Sequence, residues 1–246
     1  MRDERLADGW DVNAGAWIQW TRRGLDSYSS HKVAFLPLIP PPGRLTVDVG
    51  AGEGRVSREL RARGHRVLAI DRSPTMTRSA ATHPDVPVPA VVADAVSLPL
   101  PDAVADCAVA FMCLHDMDDV VPAIREVGRI LVDGGRFVIA IAHPLSSAGR
   151  FDQDTTDENP PFVIRDSYTA PRHFTTVRTR EDLSMTYHGI HRPLQTYTDA
   201  LTAAGFVIEQ LREHSAEDPT NKWSRIPSFL HLVCRSGAGT AVHVDV

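Results

Sequence analysis

Between residues 47 and 54 the chain reads Val-Asp-Val-Gly-Ala-Gly-Glu-Gly, a short apolar run followed by glycine at every second position, and a helical pattern follows. Glycines at a strand-to-helix turn let backbone amides approach a ligand that a Cβ would hold off. Asp48 precedes the glycines and Glu53 stands among them, so the loop suits a ligand with a positive end and disfavours a pyrophosphate. About twenty residues on, Asp71 closes the next apolar run, from which a carboxylate can reach the hydroxyls of a ribose. In the alternative, the glycines make only a tight turn and Asp71 caps the next helix. The spacing also departs from the dinucleotide fingerprint G-x-G-x-x-G: position 55 is Arg, and the third glycine comes one residue early.

Proton chemistry has candidates after two later apolar runs. His115 follows Ala105 to Phe111, and His143 follows Arg136 to Ala142 in Ala142-His143-Pro144. An imidazole there could take a proton from a hydroxyl or an enolisable carbon. His188 and His191 close a polar segment and are further candidates; in the alternative, each histidine is a polar wall or a hydrogen-bonded structural residue. The acids of His115-Asp116-Met117-Asp118-Asp119 read as capping groups, because a helical pattern starts at Val120 and negative charge favours its N-terminus. No metal site is expected. Tyr28, Tyr168, Tyr187, Tyr197, Trp17, Trp20 and Trp223 are available to shape an aromatic pocket. Cys107, Cys113 and Cys234 form no CxxC pair and no disulfide framework, and Cys113 reads as a buried thiol.

The elements that must position these residues alternate. Residues 10–36 look helical and end at Pro37. Strands are expected at 45–49, 66–70, 88–92, 105–111 and 136–142, and helices at 53–63, 74–81 and 120–131, with Ser73 capping the second helix and Asp133-Gly134-Gly135 stopping the third. The strands are near-continuous apolar runs, as in a parallel sheet covered on both faces. Residues 143–192 break the rhythm with Asn159-Pro160-Pro161 and β-leaning pieces near 162–168, 173–180 and 183–190, read as an inserted lid. A helix at 193–204 and strands at 206–211 and 228–234 follow, and the tail from Ser236 is expected to be disordered. The expected fold is α/β: a doubly wound, Rossmann-like sheet of seven strands, mostly parallel, with an inserted lid. The divisions are a helical cap at 1–42, a core at 43–143 and 191–235, a lid at 144–190 and a tail at 236–246. Ligands in such sheets lie beyond the carboxyl ends of the strands.

A chain of 246 residues, 43% hydrophobic, with a net charge of -5 and no block of Lys or Arg, makes nucleic acid and anionic membrane poor partner choices. The charged start Met1-Arg2-Asp3-Glu4-Arg5 leads to no apolar core, so no signal peptide is expected. With the unpaired cysteines, this favours a reducing cytoplasm.

These residues resemble the class I S-adenosylmethionine-dependent methyltransferases, in the group often called methyltransferase type 11. The resemblance rests on Val47 to Gly54; on Val67-Leu68-Ala69-Ile70-Asp71-Arg72-Ser73-Pro74-Thr75-Met76; on Val92-Ala93-Asp94-Ala95 with Leu98 to Asp102; on Ala105 to His115; and on Glu126 to Phe137. It covers residues 43 to 143 well, and 191 to 211 follow a weaker pattern. It implies S-adenosyl-L-methionine as cofactor. Asp48, Gly50, Ala51 and Gly52 would meet its methionine end; Asp71 would hold the ribose; Arg72 and Met76 would line the adenine, with Asp94 at its amino group and Ala95 giving a backbone contact. Met112 and His115 would flank the sulfonium and the acceptor. The implied activity is methyl transfer by in-line displacement to the oxygen, nitrogen or carbon of a small-molecule acceptor. The antiparallel insertion could form the contact of a homodimer. Other classes remain open: a nicotinamide-dependent oxidoreductase, against which the absent third glycine counts, and a regulatory protein that binds S-adenosylmethionine without catalysis.

Overall fold

The computed structural model describes residues 6–153 and 155–237. The elements are α1 (Leu6–Arg22), α2 (Tyr28–Phe35), β1 (Thr46–Val49), α3 (Arg55–Ala62), β2 (Val67–Asp71), α4 (Pro74–Ala81), β3 (Ala90–Val92), β4 (Ala105–Phe111), α5 (Val120–Ile130), β5 (Leu131–Ala142), α6 (Pro144–Ala148), β6 (Arg150–Phe151), β7 (Phe162–Val163), β8 (Arg172–Arg180), β9 (Leu183–His191), α7 (Leu194–Ala203), β10 (Phe206–His214) and β11 (Phe229–Ser236). The main sheet has 7 strands in the order β10-β11-β5-β4-β1-β2-β3. Neighbours run parallel except β11, which is antiparallel to both β5 and β10. The strand order reverses between β1 and β4, where a doubly wound sheet opens its ligand crevice.

Each face of the sheet has its own core. Ala108 and Ala110 of β4 pack with Ile124, Val127 and Ile130 of α5, whereas Cys107, Val109 and Phe111 pack with Phe35, Val56 and Leu60 on the other side. That alternation is the period of two of a strand covered on both faces. The buried residues of α5, Val120, Ala123, Ile124, Val127 and Ile130, recur at helical spacing along one stripe.

Three elements differ from the expectation. Residues 10–36 are not one helix: α1 stops at Arg22, Gly24 adopts φ 66°, and α2 restarts at Tyr28. Of the stretch 162–168 only two residues pair, as β7 with β6, whereas β8 and β9 form a long hairpin outside the main sheet. The carboxyl end is longer in strand than expected. Ser236 pairs with Phe206, and the Gly237 N–H donates to the Gly205 carbonyl at 2.9 Å; residues 238–246 lie outside the described residues. Among the described residues no helix is long and apolar enough to cross a membrane.

The hairpin is fastened to α1. Tyr187 of β9 meets Trp10, Trp17 and Trp20 edge-on, with ring centroids 6.3, 6.0 and 6.5 Å away. The Trp10 Nε1–H donates to the His188 carbonyl at 3.2 Å, and Arg180 donates to the Leu25 carbonyl at 2.6 Å. Helix and hairpin therefore close over the sheet as one cover. Tyr187→Ala removes the ring shared by all three tryptophans and is expected to cost about 1–3 kcal/mol. Hydrogen exchange should quicken in α1 and β9 while the β4 and β5 amides keep their protection; unchanged exchange in α1 would show that the ring contacts do not hold the cover.

Candidate active site

The loop after β1 is built on three left-handed glycines, Gly50, Gly52 and Gly54, at φ 65°, 57° and 84°. A Cβ at Gly50 would stand 2.7 Å from the Cys113 Cβ, and one at Gly54 2.8 Å from the Ala80 Cβ, so both positions need a bare backbone. At Gly52 the nearest atom is Trp17 Nε1, 3.8 Å away; that glycine leaves open space for a ligand. The Gly52 N–H donates to Asp71 Oδ2 at 2.8 Å and the Ser73 N–H to Asp71 Oδ1 at 2.9 Å, which ties the loop to the end of β2. Burial pushes the Asp71 carboxyl up, those two amides pull it back, and Asp11 adds repulsion. Ser73 caps α4 as expected, accepting from the Met76 N–H, with Pro74 in the first turn.

Asp48 is buried under the loop and accepts from the Ser57 hydroxyl at 2.6 Å. Burial, reinforced by Asp71 and Glu53, raises its pKa to about 7 against the pull of Ser57. Glu53 is committed elsewhere, in an ion pair with Arg58 at 2.5 Å, so Asp48 is the acid of this loop that lacks a cation partner in the described structure. Asp94 lies beyond β3, accepts from the Val96 N–H at 3.2 Å, and faces Arg72 at 3.8 Å. Asp48, Gly50, Ala51, Gly52, Asp71, Arg72, Met76, Asp94, Ala95, Met112 and His115 all line one cleft of about 2040 Å³.

On the far wall, Met112 adopts φ 56° and its N–H donates to the Ala140 carbonyl at 2.7 Å. A left-handed non-glycine residue stores strain, a frequent mark of functional loops. The turn it makes carries Cys113, whose thiol donates to the Val49 carbonyl at 3.1 Å and is pushed well up by burial; it is a packed thiol, not a nucleophile. His115 follows, with Nε2 3.6 Å from Asp116 Oδ1 and a buried Nδ1 that has no partner among the described residues. Burial, with Arg192 nearby, lowers the His115 pKa to about 4, and burial drives the Asp116 carboxyl well up. The imidazole is therefore neutral at neutral pH.

The acids after His115 divide. Asp119 occupies the N-cap position of α5 but makes no side-chain cap hydrogen bond, and Asp116 faces the cleft. The loop is held from afar: Arg192 donates to the carbonyls of Met117 and Asp118 at 2.7 and 2.8 Å.

His143 and His191 stand outside the cleft. His143 caps α6, its Nδ1 accepting from the Leu145 N–H at 3.0 Å while Nε2 meets Glu213 at 2.9 Å. His191 is fully buried between Ser147 at 2.7 Å and the Tyr168 carbonyl at 2.8 Å. Each nitrogen of both rings is engaged, His143 between α6 and β10 and His191 against Ser147 and Tyr168 of the insertion, and of the three histidines only His115 lines the cleft. Of the aromatic candidates, Trp17, Trp20, Tyr28, Tyr187 and Trp223 line it, whereas Tyr197 is core. Cleft features missed by sequence reasoning include Asp116, read as a cap, and Arg55, which stacks on Tyr28 and Trp17 at 4.3 and 5.4 Å and pairs with Asp26.

A doubly wound sheet with an antiparallel penultimate strand, a glycine loop after β1 and acids at the ends of β1, β2 and β3 defines a Rossmann-like nucleoside-cofactor fold. Comparison with known proteins narrows this. The family described as methyltransferase domain matches residues 47–139. An uncharacterized methyltransferase of Mycobacterium tuberculosis is 30% identical over 185 residues, 69% of each chain. A demethylmenaquinone methyltransferase of Corynebacterium kroppenstedtii is 32% identical over 123 residues, 50% of this chain and 47% of that protein. The chain thus aligns with about half the length of that relative. The crystal structure of an S-adenosylmethionine-dependent methyltransferase from Mesorhizobium loti superposes with a TM-score of 0.66 at 28% identity, covering 82% of this chain and 96% of that one. The chain belongs to the class I S-adenosylmethionine-dependent methyltransferases, and its cofactor is S-adenosyl-L-methionine.

The residues fit that cofactor. Gly52 is open where a backbone must approach a ligand, a buried acid without a cation partner lies beneath the loop, and the hydroxyl of Tyr28 on the cleft wall has no partner among the described residues.

Proposed function

We propose that this methyltransferase acts on a small-molecule acceptor, with Asp48 and Gly50 to Gly52 at the cofactor's methionine end, Asp71 at the ribose, Arg72, Met76, Asp94 and Ala95 at the adenine, and His115 at the acceptor. One observation carries this reading: a single cleft of about 2040 Å³ joins the Asp71 and Asp94 end to His115 and the insertion. Drug-sized ligands occupy roughly 300–1,000 Å³, so the cleft has room for an acceptor beside the cofactor. When bound, S-adenosylmethionine supplies an electrophilic methyl group on a sulfonium. The chain's own work is then alignment and exclusion of water, by the cover of α1 and the hairpin. Neutral His115 is placed to receive the proton of a hydroxyl or enolisable acceptor. The division of labour is a core at 43–143 and 191–235, a helical cap at 1–42 and a substrate lid at 144–190. Cys107, Cys113 and Cys234 are unpaired, which supports work in a reducing cytoplasm. Demethylmenaquinone, in the name of the Corynebacterium relative, is itself a small acceptor.

Incubation of the protein with methyl-labelled S-adenosylmethionine and a cell extract is expected to place the label in the low-molecular-mass fraction. His115→Gln should slow that labelling by about 100-fold, within the usual range for a lost general base, at unchanged affinity for S-adenosylhomocysteine. Label confined to protein or nucleic acid would overturn the small-molecule reading; full activity of the variant would remove His115 from the mechanism.

A further inference from the structure

The insertion sorts its charges. Residues 150–180 hold the arginines Arg150, Arg165, Arg172, Arg178 and Arg180, and the acids Asp152, Asp154, Asp157, Glu158 and Asp166. All of these arginines line the cleft, whereas of the acids the structure describes only Asp166 does. With Glu181 and Asp182, which pair with Arg23, the sequence of the insertion is net acidic, and only the folded arrangement makes its inner wall cationic. Strand β8 shows how. Its residues alternate between faces, and Arg172, Phe174, Thr176, Arg178 and Arg180 all point to the cleft while His173, Thr175, Val177 and Thr179 do not. Arg172 and Arg180 are partly committed, Arg172 to the carbonyls of Ser147 and Ala148 and Arg180 to that of Leu25. Arg150, Arg165 and Arg178 are exposed and form no salt bridge among the described residues. Nearby, Glu217 and Lys222 from the loop between β10 and β11 offset each other on the same cleft.

The sheet side of the cleft carries Asp48, Asp71 and Asp94, near the carboxyl ends of β1, β2 and β3. The sheet side thus attracts a cation and the lid an anion, in a protein whose net charge is -5. A Cβ at Gly189 would lie 2.6 Å from the Phe174 ring and 3.1 Å from Asp116 Oδ1, so β8 passes the His115–Asp116 corner at Phe174. At about 3.3 Å per residue, Arg172 lies about 7 Å along the strand from there and Arg178 about 13 Å the other way.

We infer that the methyl acceptor carries an anionic group, a carboxylate or a phosphate, bound by an inward-facing arginine of the lid, Arg165 or Arg178. The inference rests on the small-molecule reading above and adds the substrate's charge. A body of aromatic or aliphatic carbon spans the distance from the anion to His115, along Phe174 and Tyr187, both on the cleft wall.

The test needs no turnover. With the protein saturated by S-adenosylhomocysteine, 4-hydroxybenzoate, 4-hydroxyphenylacetate and octanoate are each titrated beside their primary amides, and phenyl phosphate beside phenol, by calorimetry. At least one anion is expected to bind tenfold or more tightly than its neutral partner, and its identity separates a carboxylate site from a phosphate site. Arg165→Gln with Arg178→Gln should abolish that preference at unchanged affinity for S-adenosylhomocysteine, which also reports that the variant is folded. Equal binding of anions and neutral partners overturns the anionic acceptor and leaves the small-molecule reading standing. Absence of all binding overturns both, and a preference that survives in the double variant removes these arginines from the site.

Discussion

Asp71→Ala is expected to weaken S-adenosylmethionine binding by about 3 kcal/mol, on the order of a hundredfold in Kd. Two losses combine. The carboxylate oxygens that would receive the ribose hydroxyls disappear, and the Gly52 and Ser73 amides lose the acceptors they hold at 2.8 and 2.9 Å. Hydrogen bonds to a charged group are each worth about 1.5–3 kcal/mol, and an orphaned amide next to a left-handed glycine lets the loop drift. Asp71→Asn keeps one acceptor and should fall between the two. Titration calorimetry decides the matter: an unchanged Kd in folded Asp71→Ala would take Asp71 out of the cofactor site.

The second large effect concerns pH. Asp48 has an ordinary value of 3.8 and is raised to about 7 in the fold, chiefly by burial. A carboxyl raised in the folded state favours folding while protonated in both states, below about pH 4. That contribution is lost as pH climbs to about 7, because the unfolded chain ionises first. At 1.36 kcal/mol per unit, the loss across this window is about 4 kcal/mol at most. Asp48→Asn keeps an acceptor for the Ser57 hydroxyl and cannot ionise, so the cofactor-free variant should gain stability relative to the natural chain from pH 4 to pH 7. A cation above the loop reverses the balance: it pulls Asp48 back to the carboxylate. Binding of S-adenosylmethionine below pH 7 should therefore release a proton, which appears as a dependence of the calorimetric heat on buffer ionisation enthalpy. The variant should bind more weakly, by roughly tenfold, and release none. Identical stability profiles for the two proteins would show that Asp48 does not ionise within this window.

Legibility in the sequence followed the range of the interaction concerned. The glycine turn, the Ser73 cap before Pro74 and the buried stripe of α5 depend on neighbours within a few residues, and each could be read from spacing. That the acids at positions 48, 71 and 94 share one cleft was legible because they stand at or near the ends of consecutive strands of a parallel sheet, whose carboxyl ends share one edge. The histidines were not separable in this way. His115, His143 and His191 all follow strands, yet only His115 reaches the cleft; Glu213 and Ser147, 70 and 44 residues distant in the chain, hold the other two. Asp116 was misjudged for the same reason, since a cap and a cleft wall share the same local pattern and only the hairpin packed against it distinguishes them.

The chain's linear pattern was enough to specify an α/β methyltransferase core with S-adenosyl-L-methionine as cofactor, because strand periodicity, turn chemistry and caps are local and mutually consistent. Tertiary structure decided the rest of the cleft. Which face of β8 turns inward, which of the three histidines lines the cleft, and whether the arginines and acids of the insertion cancel or separate are set by register and by contacts between distant segments.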